Sequence, residues 1–161
     1  MQQKENLQKS SEYFEKAYKF HLDGEIDKAI EDYKASIQIY PTAKAYTFLG
    51  WAYSLQKRYE DAIEECMKAI ELEPDYGNPY MDIGNYLIEL GRPYEAIDWL
   101  EKAFNYIDSN SSHFPLFSLG RAYEKTGDWL LALKFYNKAI SIDQDYDEAQ
   151  NAVIRISTLL N

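Results

Sequence analysis

Two histidines, one cysteine and a few neighbouring carboxylates are the only residues of this 161-residue chain whose type and spacing invite a search for chemistry. A histidine works as a general base or a metal ligand when a second group stands within reach, on a helix usually a partner one turn away. His21 and His113 have no second histidine at i+4 and no recognisable acidic motif, so both read as solvated or hydrogen-bonded structural side chains. Glu64 with Glu65, and Asp27 with Glu31 and Asp32, are adjacent or one helical turn apart. Carboxylates on one helix face cannot stand on opposite sides of a scissile bond, and these read as solvated helix surface. Cys66 occupies a large apolar slot of its helix, where a thiol behaves as a small buried hydrophobe. No nucleophile with a base, no metal set and no phosphate cradle can be assembled. The expectation is a chain that is not an enzyme and has no metal and no cofactor.

Composition limits the alternatives further. Apolar residues make up 46% and aromatics 16% of the sequence, more than an unfolded acidic chain leaves in water, so the chain folds. Lys and Arg number 17 against 27 Asp and Glu, a formal charge of -10 that repels phosphate backbones and anionic lipid. Nucleic acid and membrane are therefore poor partners. A single cysteine excludes an internal disulfide framework, and neither a secretory leader nor a membrane-spanning run is apparent, which reads as cytoplasmic.

The elements that must position any site are repeated. Ala29 with Ser36, Ala62 with Ala69, Ala96 with Ala103, and Ala132 with Ala139 are pairs of small residues seven apart, recurring at steps of 33, 34 and 36 residues. Small residues two helical turns apart line one stripe and let a second helix approach closely. A turn precedes each pair: Asp23-Gly24-Glu25, Lys57-Arg58-Tyr59, Gly91-Arg92-Pro93 and Gly127-Asp128-Trp129. Gly50, Gly84 and Gly120, with Ala17 in the first repeat, lie within helices, where glycine costs about 1 kcal/mol against alanine unless close packing offsets it.

This pattern resembles the tetratricopeptide repeat over about residues 10–146. The first repeat supplies Tyr13, Ala17, Phe20, Gly24, Ala29, Tyr33 and Pro41, and the second Tyr46, Leu49, Gly50, Tyr53, Ala62, Ala69 and Pro74. The third supplies Tyr80, Gly84, Gly91, Ala96 and Ala103, and the fourth Leu119, Gly120, Tyr123, Gly127, Ala132, Tyr136 and Ala139. The resemblance implies an all-α, right-handed superhelical solenoid of antiparallel helix pairs: a short polar segment 1–9, then one domain 10–161. Its repeats run about 10–42, 43–76, 77–110 and 113–146, and a capping helix follows at about 147–160. Lys57 departs from the pattern at the turn glycine, Ser36 at an alanine, and Asp108 and Gln144 at the closing proline. The long step places the least regular joint at 108–113.

The same resemblance implies a concave groove built from the first helix of each repeat and lined here by Phe14, Tyr18, Lys44, Thr47, Trp51, Met81, Asn85, Ile88, Phe117 and Arg121. Large amphipathic rings bury much area at little entropic cost, and an asparagine amide can both donate to and accept from a peptide backbone. The basic clamp with which part of the family grips acidic chaperone tails is missing, since Phe14, Tyr18, Phe48, Asn78 and Asp82 stand in its places. The expected function is a protein–protein interaction adaptor, a chaperone-like role among its forms, that takes an extended or helical peptide segment of a partner protein. The alternative is a structural or homo-oligomerisation subunit, joined through the first helix pair or through Leu159 and Leu160.

Overall fold

The computed structural model describes residues 1–160 as nine α-helices and one short 3-10 turn, with no strand among the described residues. The helices are α1 (Gln2–Leu22), α2 (Ile26–Ile39), α3 (Ala43–Leu55), α4 (Tyr59–Leu72), α5 (Asn78–Glu89), α6 (Pro93–Ala103), α7 (His113–Thr126), α8 (Trp129–Ile142) and α9 (Asp147–Leu160). They group into two compact units, one ending at Asp82 and the other beginning at Ile83, a division that falls within the sequence of α5. None of the described helices is long and apolar enough to cross a membrane.

The small residues of the repeat do what their spacing requires. Ala29, Ala62, Ala69, Ala96, Ala103, Ala132 and Ala139 have no exposed surface at all. Ser36, in place of an alanine, is buried too, and its hydroxyl donates across the α1/α2 contact to the Ser10 carbonyl at 2.8 Å. The Ser10 hydroxyl lies 3.0 Å from the Ser36 and Tyr40 carbonyls. A polar side chain is tolerated there because its hydrogen-bonding capacity is used. Gly120 admits Tyr136: a Cβ on Gly120 would fall 2.5 Å from the ring. At Gly84 it would meet Leu100 at 2.5 Å. The propensity lost in placing glycine within a helix is thus exchanged for contact with a large buried side chain.

Between helices of a pair, Gly127 closes α7 with a left-handed φ of 84°. The equivalent Lys57 takes φ 59°, a conformation that costs a residue with a Cβ roughly 1–2 kcal/mol. At the repeat ends, Tyr40 leaves its helix in extended conformation before Pro41, and Glu73 (φ -136°, ψ 85°) leaves the helical region before Pro74. Asp143 does the same (φ -127°, ψ 103°), so Gln144 supports the proline geometry without a proline.

The third repeat is different. Its second helix, α6, has 11 residues where α2, α4 and α8 each have 14. After Ala103 the amides of Phe104, Asn105 and Tyr106 bond to carbonyls three residues back, and a 3-10 turn at Ser109–Ser111 follows, capped by the Asp108 carboxylate on the Asn110 amide. The irregular joint expected at 108–113 therefore begins several residues earlier.

Residues 2–9 form the first turns of α1. At the other end α9 buries Ala149, Ala152 and Ile156 and leaves Ile154, Leu159 and Leu160 exposed.

Candidate functional site

In the unit ending at Asp82, α1, α2 and α3 bring a set of rings together. Phe48 stands edge-on to Phe14 at 5.2 Å, to Tyr18 at 5.7 Å and to Trp51 at 5.7 Å. Edge-to-face rings at these separations are worth roughly 0.5–1.5 kcal/mol beyond the area they bury. His21 lies beneath Trp51, ring centroids 3.9 Å apart, and its Nδ1 is 3.2 Å from the Tyr33 hydroxyl. His21 is 5% exposed and Nε2 has no partner, so burial pushes its pKa down and holds the ring neutral. Burial also pushes the Tyr33 phenol well above its ordinary value. The Lys44 ammonium sits 4.6 Å from the Phe14 ring centre, a cation on an aromatic face. Over this packed base Trp51 keeps 39% of its surface exposed.

The first turn of α5 adds Met81 and Asp82, both partly exposed. Desolvation pushes the Asp82 carboxyl up to about 7.

The unit beginning at Ile83 presents a different chemistry. Arg121 on α7 donates to Glu89 on α5 at 2.5 Å and reaches the Asn85 side-chain oxygen at 3.4 Å. Arg155 on α9 forms a two-pronged pair with Glu124 on α7, which also accepts from the Tyr136 hydroxyl at 2.8 Å. The guanidinium of Arg155 and the Tyr136 hydroxyl hold the Glu124 carboxyl below the usual glutamate range. Phe117, Arg121, Glu124 and Arg155 line a shallow cleft of about 540 Å³. Both arginines are neutralised by carboxylates of the same unit, so neither is a free cation for an acidic ligand.

The same repeated architecture recurs in known proteins. Residues 43–76 and 75–145 match the tetratricopeptide repeat. The chain belongs to the tetratricopeptide repeat family. Members of this family are scaffolds for protein–protein interaction. The chain is similar to anaphase-promoting complex subunit 3 of Schizosaccharomyces pombe, 27% identical over 143 residues, which covers 88% of this chain and 21% of that protein. It is also similar to small glutamine-rich tetratricopeptide repeat-containing protein 2 of Saccharomyces cerevisiae, 29% identical over 128 residues, 77% of this chain and 36% of that protein. The chain thus spans well under half the length of these relatives. Among solved structures, MamA superposes with a TM-score of 0.75 at 24% identity, covering 92% of this chain and 80% of that one. Pseudomonas aeruginosa PilF gives 0.86 at 16% identity, covering 94% and 68%. These two likenesses are of fold.

Against that background the ten residues expected on the groove divide by burial. Tyr18, Met81, Asn85, Phe117 and Arg121 are partly exposed, and Lys44 and Trp51 are exposed. Phe14, Thr47 and Ile88 are not on open surface, with 7%, 4% and 2% exposure. The Thr47 hydroxyl donates to the Ala43 carbonyl at 2.8 Å, the turn before it on the same helix. Phe117 is held between Tyr136 and Tyr146, at 5.4 and 5.1 Å. Sequence reasoning passed over Phe48 and Asp82 except as departures from a basic clamp. An aromatic at the position next to Thr47 was the available signal for Phe48. Nothing in the local sequence signals the environment of Asp82.

Proposed function

We propose that this chain is a non-enzymatic adaptor in which the aromatic face of the unit ending at Asp82 anchors an apolar segment, extended or helical, of a partner protein. The observation that carries the reading is Trp51: a large amphipathic ring, two-fifths exposed, fixed from below by His21 and from the side by Phe48. A preorganised ring loses little entropy when a ligand covers it, which is the character of a binding hot spot. Tyr18 and Met81 extend the apolar contact, while Lys44 offers a charged group and Asp82 a carboxyl that is partly protonated near neutral pH. In the unit beginning at Ile83, Asn85 keeps its amide N–H donors available for a peptide carbonyl, because Arg121 engages its oxygen. Action in the cytoplasm, and a chaperone-like role in keeping an apolar segment of the partner from aggregating, belong to the same proposal.

Affinity capture from the source lysate, with wild-type protein against Trp51→Ala, tests it. Truncating the ring is expected to weaken capture by about 2 kcal/mol, near 30-fold, with unchanged helical circular dichroism. Equal recovery by both proteins would remove Trp51 from the site.

A further inference from the structure

The two most exposed large apolar side chains described in the unit beginning at Ile83, Leu130 and Tyr94, lie away from the charged cleft described above. Tyr94, Trp129, Leu130 and Leu160 are 73%, 37%, 75% and 51% exposed and border one open depression of about 560 Å³ that Tyr123 and Thr126 complete. The repeat itself does not demand this surface. Two residues before the repeated alanines 29, 62, 96 and 132 stand Asp27, Glu60, Tyr94 and Leu130, the first two acidic and the last two apolar. The same turn position has thus changed from charged to greasy in the second half of the chain only.

We propose that this depression is a self-association surface whose occupant is a second copy of the chain, in a two-fold arrangement. Taking about 200–280 Å² for a fully exposed side chain of these types, the four residues leave roughly 550 Å² open; with the polar rim this approaches the ~800 Å² per partner of a stable interface. The charge argument selects a second copy. Two chains of charge -10 repel each other over most of their surface. Of the residues bordering the depression only Asp128 is charged, and its carboxylate is engaged on the Leu131 amide at 3.1 Å, capping α8. Asp128 apart, the patch sets no charge of one acidic copy against the other, and a single engaged carboxylate offers little to select a basic partner. A two-fold contact sets the same patch of each copy against the other, and here Leu130, Tyr94 and Trp129 border a single depression.

Sedimentation velocity from low micromolar to several hundred micromolar tests the proposal. Wild type and Trp51→Ala are expected to dimerise alike, whereas Leu130→Asp and Tyr94→Asp, on separate helices and both exposed enough to leave the fold intact by circular dichroism, each raise the dimer dissociation constant by about 30-fold or more. Wild type that stays monomeric throughout, or a dimer indifferent to both substitutions, would overturn it.

Discussion

The rings of His21 and Trp51 lie 3.9 Å apart, yet one is buried and the other is the open centre of the aromatic face. The imidazole is therefore the floor on which the proposed anchor rests, and its ionisation state bears on the fold of α1 and α3 together. Because the native pKa of His21 is depressed below 6.5, the unfolded chain binds more protons in acid, and this stability contribution is present above about pH 6.5 and lost as pH falls below it. Urea unfolding of wild type and His21→Phe at neutral pH and near pH 5 should reveal a larger loss of stability on acidification in the wild type. A parallel pH dependence in the two proteins would contradict the buried neutral ring.

Asp82 acts in the opposite direction. Its native pKa, raised to about 7, lies above the ordinary carboxylate value, so its favourable contribution is complete below about pH 4 and is lost as pH rises to about 7. Asp82→Asn should therefore stabilise the protein at pH 8, by up to roughly 3 kcal/mol, with the advantage disappearing near pH 4. Chemical denaturation at the two pH values checks this; a variant less stable than wild type at pH 8 would show that the carboxylate has a stabilising partner.

Helix contact can be tested at Gly120. An alanine there sets a methyl 2.5 Å from the Tyr136 ring and should destabilise by about 1–3 kcal/mol, although alanine is the better helix former. Lys57→Gly should do the reverse, raising stability by up to about 1 kcal/mol by relieving the left-handed backbone. Thermal melts of both variants report the signs.

The joint after α6 should open most readily. Residues 104–112 combine three-residue hydrogen bonds with mostly exposed or partly exposed side chains, so their amides should exchange with solvent faster than those of α7 and α8. Hydrogen exchange followed by mass spectrometry measures it, and protection equal to that of α8 would contradict the assignment.

What was legible in the sequence follows from the range of the interactions involved. Ala62 with Ala69 and Ala132 with Ala139 announce helix pairing because close approach needs small residues at a helical spacing, a local requirement. Lys57 could be seen as a misfit in a glycine position, and the backbone takes the left-handed turn all the same. The shortening of α6 was hidden, since Phe104 to Ile107 are acceptable helix residues and only the two-residue excess downstream draws them into tighter turns. Thr47 and Ile88 were placed on open surface by register alone, but register fixes the side of a helix and not how deeply neighbours cover it. For the same reason register does not fix the pairing of Arg121 with Glu89, 32 residues apart, and the desolvation of Asp82 leaves no trace in its neighbours along the chain.

The central claim is that Trp51 anchors a partner segment, and quantitative capture with three immobilised proteins tests it most directly. Wild type and Leu130→Asp should recover the same partner in similar amounts, while Trp51→Ala, equally helical, recovers it at least tenfold less. Equal recovery on Trp51→Ala and wild type, or no protein enriched on either, would contradict the account.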